Sequence, residues 1–383
     1  MQKPALPYWR LSTFYLFYFA SLGALVPYWG LYLQSLGFDG RAIGELMAIL
    51  MVSKIIAPYI WSWIADHTGK GMMIIRLASV CALIAFVGIF WALTFWWLAL
   101  VMMLFSFFWN ATLPQFEAIT LNHLGKDTHQ YSGIRLWGSL GFILSVASLG
   151  QVLDQQSLAI LPIVLLMIFS FIALSSFTVP DAQAQPHHET QVSIFQLLKQ
   201  PVVLALLAVC FLAQLSHGPY YTFYSIYLKE NAYSSSTIGS LWALGVLAEI
   251  GVFFLMVKLM PRFGAHKLLI TALLLTSLRW LLIGHFVSSL SIILFAQLLH
   301  AASFGLYHAV AIDLIHRLFK GRYQGRGQAL YSSVSFGAGG ALGSYLSGLF
   351  WDQNSATLVF NMAALVALLG AFISWRYVKV AEM

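Results

Sequence analysis

The sequence predicts an all-α membrane protein, with twelve transmembrane helices arranged as two pseudo-symmetric six-helix bundles. Three observations carry that prediction. Of 383 residues, 60% are hydrophobic and only 9% charged, with a mean hydropathy of +0.81. A soluble domain uses about a quarter charged residues to solvate its surface. The apolar residues also fall into runs long enough for a bilayer core of about 30 Å, which takes around 20 residues of helix. Finally, a pattern in the first half recurs 195 residues later.

In order, the spans centre on residues 11–33, 42–64, 72–94, 97–117, 134–153 and 157–178, then on 202–228, 237–259, 267–286, 291–313, 328–350 and 356–376. The first run is too long for the apolar core of a cleaved signal and lacks a small-residue cleavage site, so it reads as a helix. In the seventh span, Gly218-Pro219 predicts a kink or opening. In the eleventh, Gly339-x3-Gly343-x3-Ser347 and Gly340-x3-Ser344-x3-Gly348 form small-residue ridges for close helix packing. Residues 180–200 are the longest polar stretch, rich in Gln, Pro and His, and suit an exposed linker. The expected organisation is a bundle over 1–179, a cytoplasmic linker over 180–200 and a second bundle over 201–383.

The net charge of +7 comes from 20 Lys and Arg against 13 Asp and Glu. With the N-terminus inside, fifteen of the basic residues fall on the cytoplasmic side, from Lys3 and Arg10 to Arg376 and Lys379. Arg41 and Lys229 fall opposite, and Lys54, Arg135 and Arg279 lie within or at the edges of spans. Basic residues mark cytoplasmic loops, so both termini are expected inside, in a bacterial-type inner membrane. Their confinement to short gaps argues against a nucleic-acid partner. Cys81 and Cys210 sit in apolar runs and read as inert thiols. There is no phosphate loop, no His-Glu-x2-His and no Gly-x-Ser-x-Gly. ATP-driven pumping and hydrolysis are therefore not expected, nor is a metal or any cofactor beyond a proton gradient. The expected partners are a small molecule, a proton and the bilayer, with the chain working as a monomer.

In the repeat, Ile43-Gly44-x-Leu46-x-Ala48 returns as Ile238-Gly239-x-Leu241-x-Ala243, and Gly69 returns as Gly264. Later the offset drifts to 198, where Gly150-x3-Asp154-Gln155 matches Gly348-x3-Asp352-Gln353. Matched Gly and Asp-Gln pairs in order along the chain point to duplication. The loop after span two, Asp66-His67-Thr68-Gly69-Lys70, resembles the signature loop of the major facilitator superfamily, although Ser62 stands where its leading Gly is expected. Gly69 permits the tight turn, Asp66 can cap a helix end or pair with a basic residue across the half-to-half boundary, and Asp66, Gly69 and Lys70 together are the expected gating loop. The resemblance implies two halves rocking about a central site.

A charge at the bilayer centre costs about 3 kcal/mol or more, so ionisable residues inside spans are functional candidates. Glu117 and Arg135, 18 residues apart across a short turn, could pair. In span ten, Gln297, His300, Ser303 and Tyr307 share one polar face. Glu249 lies mid-span in the eighth helix, with Arg279, His300 and His217 in the same half. A carboxyl in an apolar site holds its proton until a cation or substrate approaches, which is what proton coupling requires. Gln214, His217, Tyr221 and Tyr224 fall on one face of the seventh span and suggest a cavity wall.

Tyr131-Ser132-Gly133-Ile134-Arg135-Leu136-Trp137-Gly138 resembles the fifth-helix segment of the lactose permease branch, with the same acid-to-Arg spacing. That resemblance implies that Glu117 and Arg135 bind substrate. The segment with His300 resembles the same branch's proton site, with Gln297 in place of a lysine and Ser303 in place of the carboxylate. Phe142 stands where that branch has a sugar-stacking tryptophan. The wider set, including His217-x2-Tyr220-Tyr221, Trp242 to Glu249, Arg279-Trp280 and His308, resembles the phenylpropionate permease group. The leading expectation is proton-coupled uptake of a small aromatic carboxylate. Arg135, Glu117, Phe142, His217, Tyr221 and Tyr224 would bind it, and Glu249, His300 and Arg279 would serve the proton. Symport of an oligosaccharide or nucleoside is the alternative, and a transport-dead sensor a third reading.

Overall fold

The computed structural model describes residues 6–125, 127–181, 195–352 and 355–379, and all regular structure among them is helical. Most of the expected linker, residues 182–194, lies outside the described residues, as do Lys126, Gln353 and the side chain of Asp66. The first half holds α1 (Tyr8–Ser35), α2 (Gly40–Thr68), α3 (Gly71–Val87), α4 (Phe95–Leu124), α5 (Tyr131–Leu153) and α6 (Leu161–Thr178). Pro27 is carried within α1 without breaking it.

The second half opens with α7 (Pro201–Glu230), which is interrupted at His217 just before Gly218-Pro219, as the sequence predicts. The next 51 residues, Ser235–His285, form one continuous run only in outline. Gly264, at φ 75 and ψ 154 and three residues past Pro261, turns the chain and divides the run into α8 (235–263) and α9 (265–285). Then come α10 (Leu290–Leu318), α11 (324–351) and α12 (Ala356–Tyr377). Ten helices among the described residues are long and apolar enough to span a bilayer. Dividing the longest gives eleven, and α11, whose glycines and serines lower its hydropathy, makes twelve.

The helix ends follow local chemistry. Asp39 accepts from the Ala42 amide at 2.8 Å, and Ser234 accepts from that of Thr237 at 3.1 Å, capping α2 and α8. Gly69 closes α2 in the left-handed region at φ 64 and ψ 13, and its repeat mate Gly264 also has positive φ but a different turn, at ψ 154. Lys70 is exposed at the start of α3.

Within the first half α1 packs on α5 and α6, and α4 on α2 and α3; within the second, α12 packs on α7 and the α8–α9 pair. The halves meet along α2 with α11, α5 with α8 and α1 with α7. Glycines allow the closest approach: a Cβ on Gly44 would sit 2.7 Å from the Cα of Gly348, and one on Gly239 would sit 2.5 Å from the Val146 carbonyl oxygen. The ridge predicted on α11 is used twice, since Gly343 also abuts Leu215 and Gly218 of α7.

One end of the bundle is sealed by a repeated device. Asp154, after α5, accepts from the amides of Ser235 at 2.6 Å and Ser236 at 3.2 Å, at the start of α8 in the other half. Asp352, after α11, accepts from the Gly40 amide at 2.6 Å, at the start of α2. Each carboxylate thus satisfies free N–H groups and faces the positive end of a helix across the half-to-half boundary. Gln34 adds a donated bond to Glu230 at 3.1 Å. The Gly-x3-Asp repeat seen in the sequence is this pair of latches.

Candidate functional site

The intramembrane charges fall into two groups. In the second half, Arg279 of α9 is fully buried (0% exposed) and every bond it makes is to a neutral acceptor. Its Nε donates to the Ala296 carbonyl at 3.0 Å, one terminal nitrogen to Ser303 Oγ at 2.9 Å and the other to Gln297 Oε1 at 2.9 Å. Its guanidinium carbon lies 4.1 Å from the Tyr220 ring centre and 4.7 Å from that of Trp280. Tyr220 donates a further bond to Gln297 Oε1 at 3.3 Å. Ser303 is brought into place by a π-helical turn, Ala301–Leu306, inside α10. Such turns are frequent at functional sites, and nothing in the sequence marks this one.

Glu249 lies beside that network rather than in it. Its carboxylate is 3.6 Å from His300 Nε2 and 17% exposed. This is one of three acid–base contacts within 4 Å among the described residues; the other two are local pairs, Arg41 with Glu45 and Arg317 with Asp313. Two glycines make room for it: Gly245 faces His300 and Gln297, and Gly305 faces Glu249 itself. Trp242, one helical turn before Gly245, donates to Ser225 at 2.9 Å, a partner the sequence does not single out. Glu249 and Arg279 do not form an ion pair.

The aromatic face of α7 is mostly interior. His217 is fully buried, bonded through Nδ1 to the Ala213 carbonyl at 2.7 Å and packed edge-on against Trp280. Tyr224 is fully buried against Tyr220 and Trp242, while Tyr221 is partly accessible and stacks on His217.

The first half contributes Arg135 and Glu117. Arg135 is partly accessible; its guanidinium carbon sits 3.8 Å from the Phe19 ring centre and 5.7 Å from that of Tyr15. It makes no ion pair among the described residues, so the expected close Glu117–Arg135 contact is not formed. Glu117 remains within electrostatic reach of both Arg135 and Tyr131. The aromatic shelf of α1 displaces the guanidinium from the carboxylate, because a cation gains by lying on ring faces. Arg135 is also within electrostatic reach of Glu249 and His308 across the boundary. Phe142, about two helical turns beyond it, is half-buried with its backbone against Gly23 of α1. Arg135, Glu117, Glu249, His308 and Tyr221 are all partly accessible and drawn from both halves. Electrostatic reach links them into one polar cluster across the boundary between the bundles, and the Glu249–His300 contact joins that cluster to the Arg279 network.

Twelve helices in two related halves, with a charged cluster where the halves meet, are the plan of a secondary transporter. The described MFS_1 like family matches residues 8–362. This chain belongs to that family of the major facilitator superfamily; it is a carrier and not an enzyme. A "Probable 3-phenylpropionic acid transporter" of Escherichia coli (strain K12) is 29% identical, covering 95% of this chain and 96% of its own. A maltose permease of Geobacillus stearothermophilus is 28% identical, covering 94% and 93%. Among solved structures, a mutant of the nucleoside transporter NupG superposes with a TM-score of 0.87 at 16% identity, covering 96% of this chain and 98% of its own. At that identity the likeness concerns the fold alone.

Proposed function

We propose that this transporter carries out proton-coupled uptake of a small aromatic carboxylate by alternating access. The observation that carries the reading is Arg135: a partly accessible guanidinium at the boundary of the halves with no carboxylate bonded to it. An arginine presents a rigid fork of donors that matches a carboxylate in two parallel bonds. Phe19 beneath it, and the partly accessible Tyr221 in the other half, offer ring faces for an aromatic substrate. The name of the Escherichia coli relative agrees with this chemistry.

Glu249 and His300 supply the proton site. Glu249 is partly accessible, has a histidine at 3.6 Å, and lies within reach of Arg135. A carboxylate bound at Arg135 would neutralise the cation that favours ionised Glu249, so substrate binding and proton uptake reinforce each other. Arg279 serves this site indirectly by fixing Gln297 and Ser303. The signature loop, with Asp66, Gly69 and Lys70, would act in gating, and release into the cytoplasm would follow opening of the end opposite the two latches. We place the protein in a bacterial inner membrane with both termini cytoplasmic, working as a monomer.

The test is uptake of phenylpropionate into proteoliposomes under an imposed inward proton gradient. Accumulation that collapses with the gradient is the expected result; no gradient-dependent uptake of any aromatic carboxylate would sink the proposal. Symport of an oligosaccharide is the second reading, favoured by Glu117 as an acceptor for hydroxyls and by the maltose permease relative. Maltose accumulation in the same assay would select it.

A further inference from the structure

Lys54 of α2 is a cation inside a membrane span with no hydrogen bond or ion pair among the described residues, and the proposed mechanism does not use it. Its direction follows from the packing of α2. Gly44, Met51 and Ile55 face α11, where they meet Gly348, Gly340 and Gly337. Leu50 and Ser53 face α4, where Asn110 donates to the Leu50 carbonyl at 3.2 Å and to Ser53 Oγ at 2.8 Å. Ile56, Ile60 and Trp63 are exposed on the remaining side, toward lipid. At 100° per residue, Lys54 falls between the α11 and α4 faces and away from the lipid stripe, so it points inward. It is partly accessible although it points inward, as a side chain at the seam between the halves would be.

The repeat adds an independent observation. The 195-residue offset that carries Gly40 onto Ser235, Gly44 onto Gly239 and Gly69 onto Gly264 also carries Lys54 onto Glu249. Helices α2 and α8 begin at latched, equivalent residues, so Lys54 and Glu249 lie at the same depth on opposite walls. Duplication has left a carboxylate at one position and an ammonium at the other. Arg135 is 19 residues from its latch Asp154, against 14 from Gly40 to Lys54, so it lies on the order of 7 Å farther from the sealed end. Helix α2 meets the other half at α11, whereas α5 meets it at α8.

We propose that Lys54 is a second anion-binding residue of the substrate cavity, so that the preferred substrate carries two acceptor groups: a carboxylate for Arg135 and a second acidic group, farther into the cavity, for Lys54. An unpaired charge in a span is costly, and the group that arrives to compensate this one is the cargo. The inference rests on the aromatic carboxylate reading and narrows it to a diacid.

The experiment is calorimetric titration of the full chain in nanodiscs with two probes, phenylpropionate and its ring-carboxylated analogue. Wild type is expected to bind the diacid about tenfold tighter or more, a difference of about 1.4 kcal/mol. Lys54→Gln should abolish that preference while leaving the monoacid unchanged, Lys54→Arg should retain most of it, and Arg135→Gln should weaken both probes. An unchanged thermal midpoint for each variant establishes that it is folded. Absence of a diacid preference in wild type, or its persistence in Lys54→Gln, overturns the Lys54 assignment and leaves the carboxylate reading standing. Equal weakening of both probes by Lys54→Gln also overturns it, since Lys54 would then pair with a protein charge. If neither probe binds wild type, both readings fall together.

Discussion

Arg279 and Arg135 each place a guanidinium within the membrane, one in each half, yet their surroundings differ in kind. Arg279 is wholly buried, with three neutral acceptors at 2.9–3.0 Å and two aromatic rings against its faces. Arg135 is partly accessible, lies over Phe19, and has no bonded acceptor among the described residues. A buried guanidinium with an acceptor at each of its three nitrogens holds those neighbours in one arrangement and is closed off from a ligand. A cation with unfilled donors keeps its capacity for an anion that comes and goes. In the same membrane, the arginine with partners has the surroundings of a strut, and the one without has those that the proposed receptor role needs.

Breaking the strut should have the largest effect. Arg279→Leu leaves Gln297, Ser303 and the Ala296 carbonyl without their donor and is expected to cost about 3 kcal/mol. Its thermal midpoint in detergent should fall by about 5–10 °C, and Arg279→Lys should not restore it, since one ammonium cannot span the three acceptors. Arg135→Gln should leave the midpoint within about 2 °C and abolish uptake. A large stability loss on replacing Arg135 would contradict its assignment as a receptor.

Glu249→Gln sharpens the contrast from the side of coupling. The variant should lose gradient-driven accumulation while retaining exchange of substrate across the membrane, as measured by counterflow in proteoliposomes. Loss of both would place Glu249 with the strut rather than with the proton. At the sealed end, Gly44→Leu forces a side chain where Gly348 leaves 2.7 Å, an overpacking of about 1–3 kcal/mol. Spin-label distances across that end should shift to longer values.

The latches should give the smallest effect. Asp154→Ala or Asp352→Ala removes one cap, worth about 1 kcal/mol or less at such an exposed position. The sealed population should fall by about fivefold at most per variant, with near-additive loss in the double variant. The Ser236 hydroxyl and the Ser235 and Ser236 amides hold the Asp154 carboxyl below its usual range. Its contribution is therefore complete above an ordinary carboxylate pKa of about 3.9 and is lost only as pH falls through the lowered value. The same distance measurement should be flat between about pH 5 and 8; a change in that window traceable to Asp154 would refute the assignment.

Spans, turn glycines and the kink at Gly218-Pro219 were legible in the chain because they depend on local composition and backbone freedom. The Gly-x3-Asp repeat was visible too, but its meaning was not: each aspartate caps a helix that begins 81 residues downstream or 312 upstream of it, as for Ser235 and Gly40. Glu117 and Arg135, which could pair across their short turn, do not form a close contact, and of the bases in its half Glu249 meets His300 rather than Arg279. Helical spacing says which face a residue occupies, whereas the choice between an acid, a ring and a hydroxyl depends on how helices are rotated against one another. The π-helical turn that aims Ser303 at Arg279 adds such a rotation within α10.

The sequence by itself determined that only 9% of residues could be charged, and therefore that the few inside the membrane would matter. It also determined the duplicated plan, because hydrophobic run length and glycine position are properties of the chain alone. Only the tertiary structure decided which charges are satisfied and which are waiting. Satisfaction is a relation between helices, set by distances of 3–4 Å between residues far apart in the chain, and no single helix carries that information.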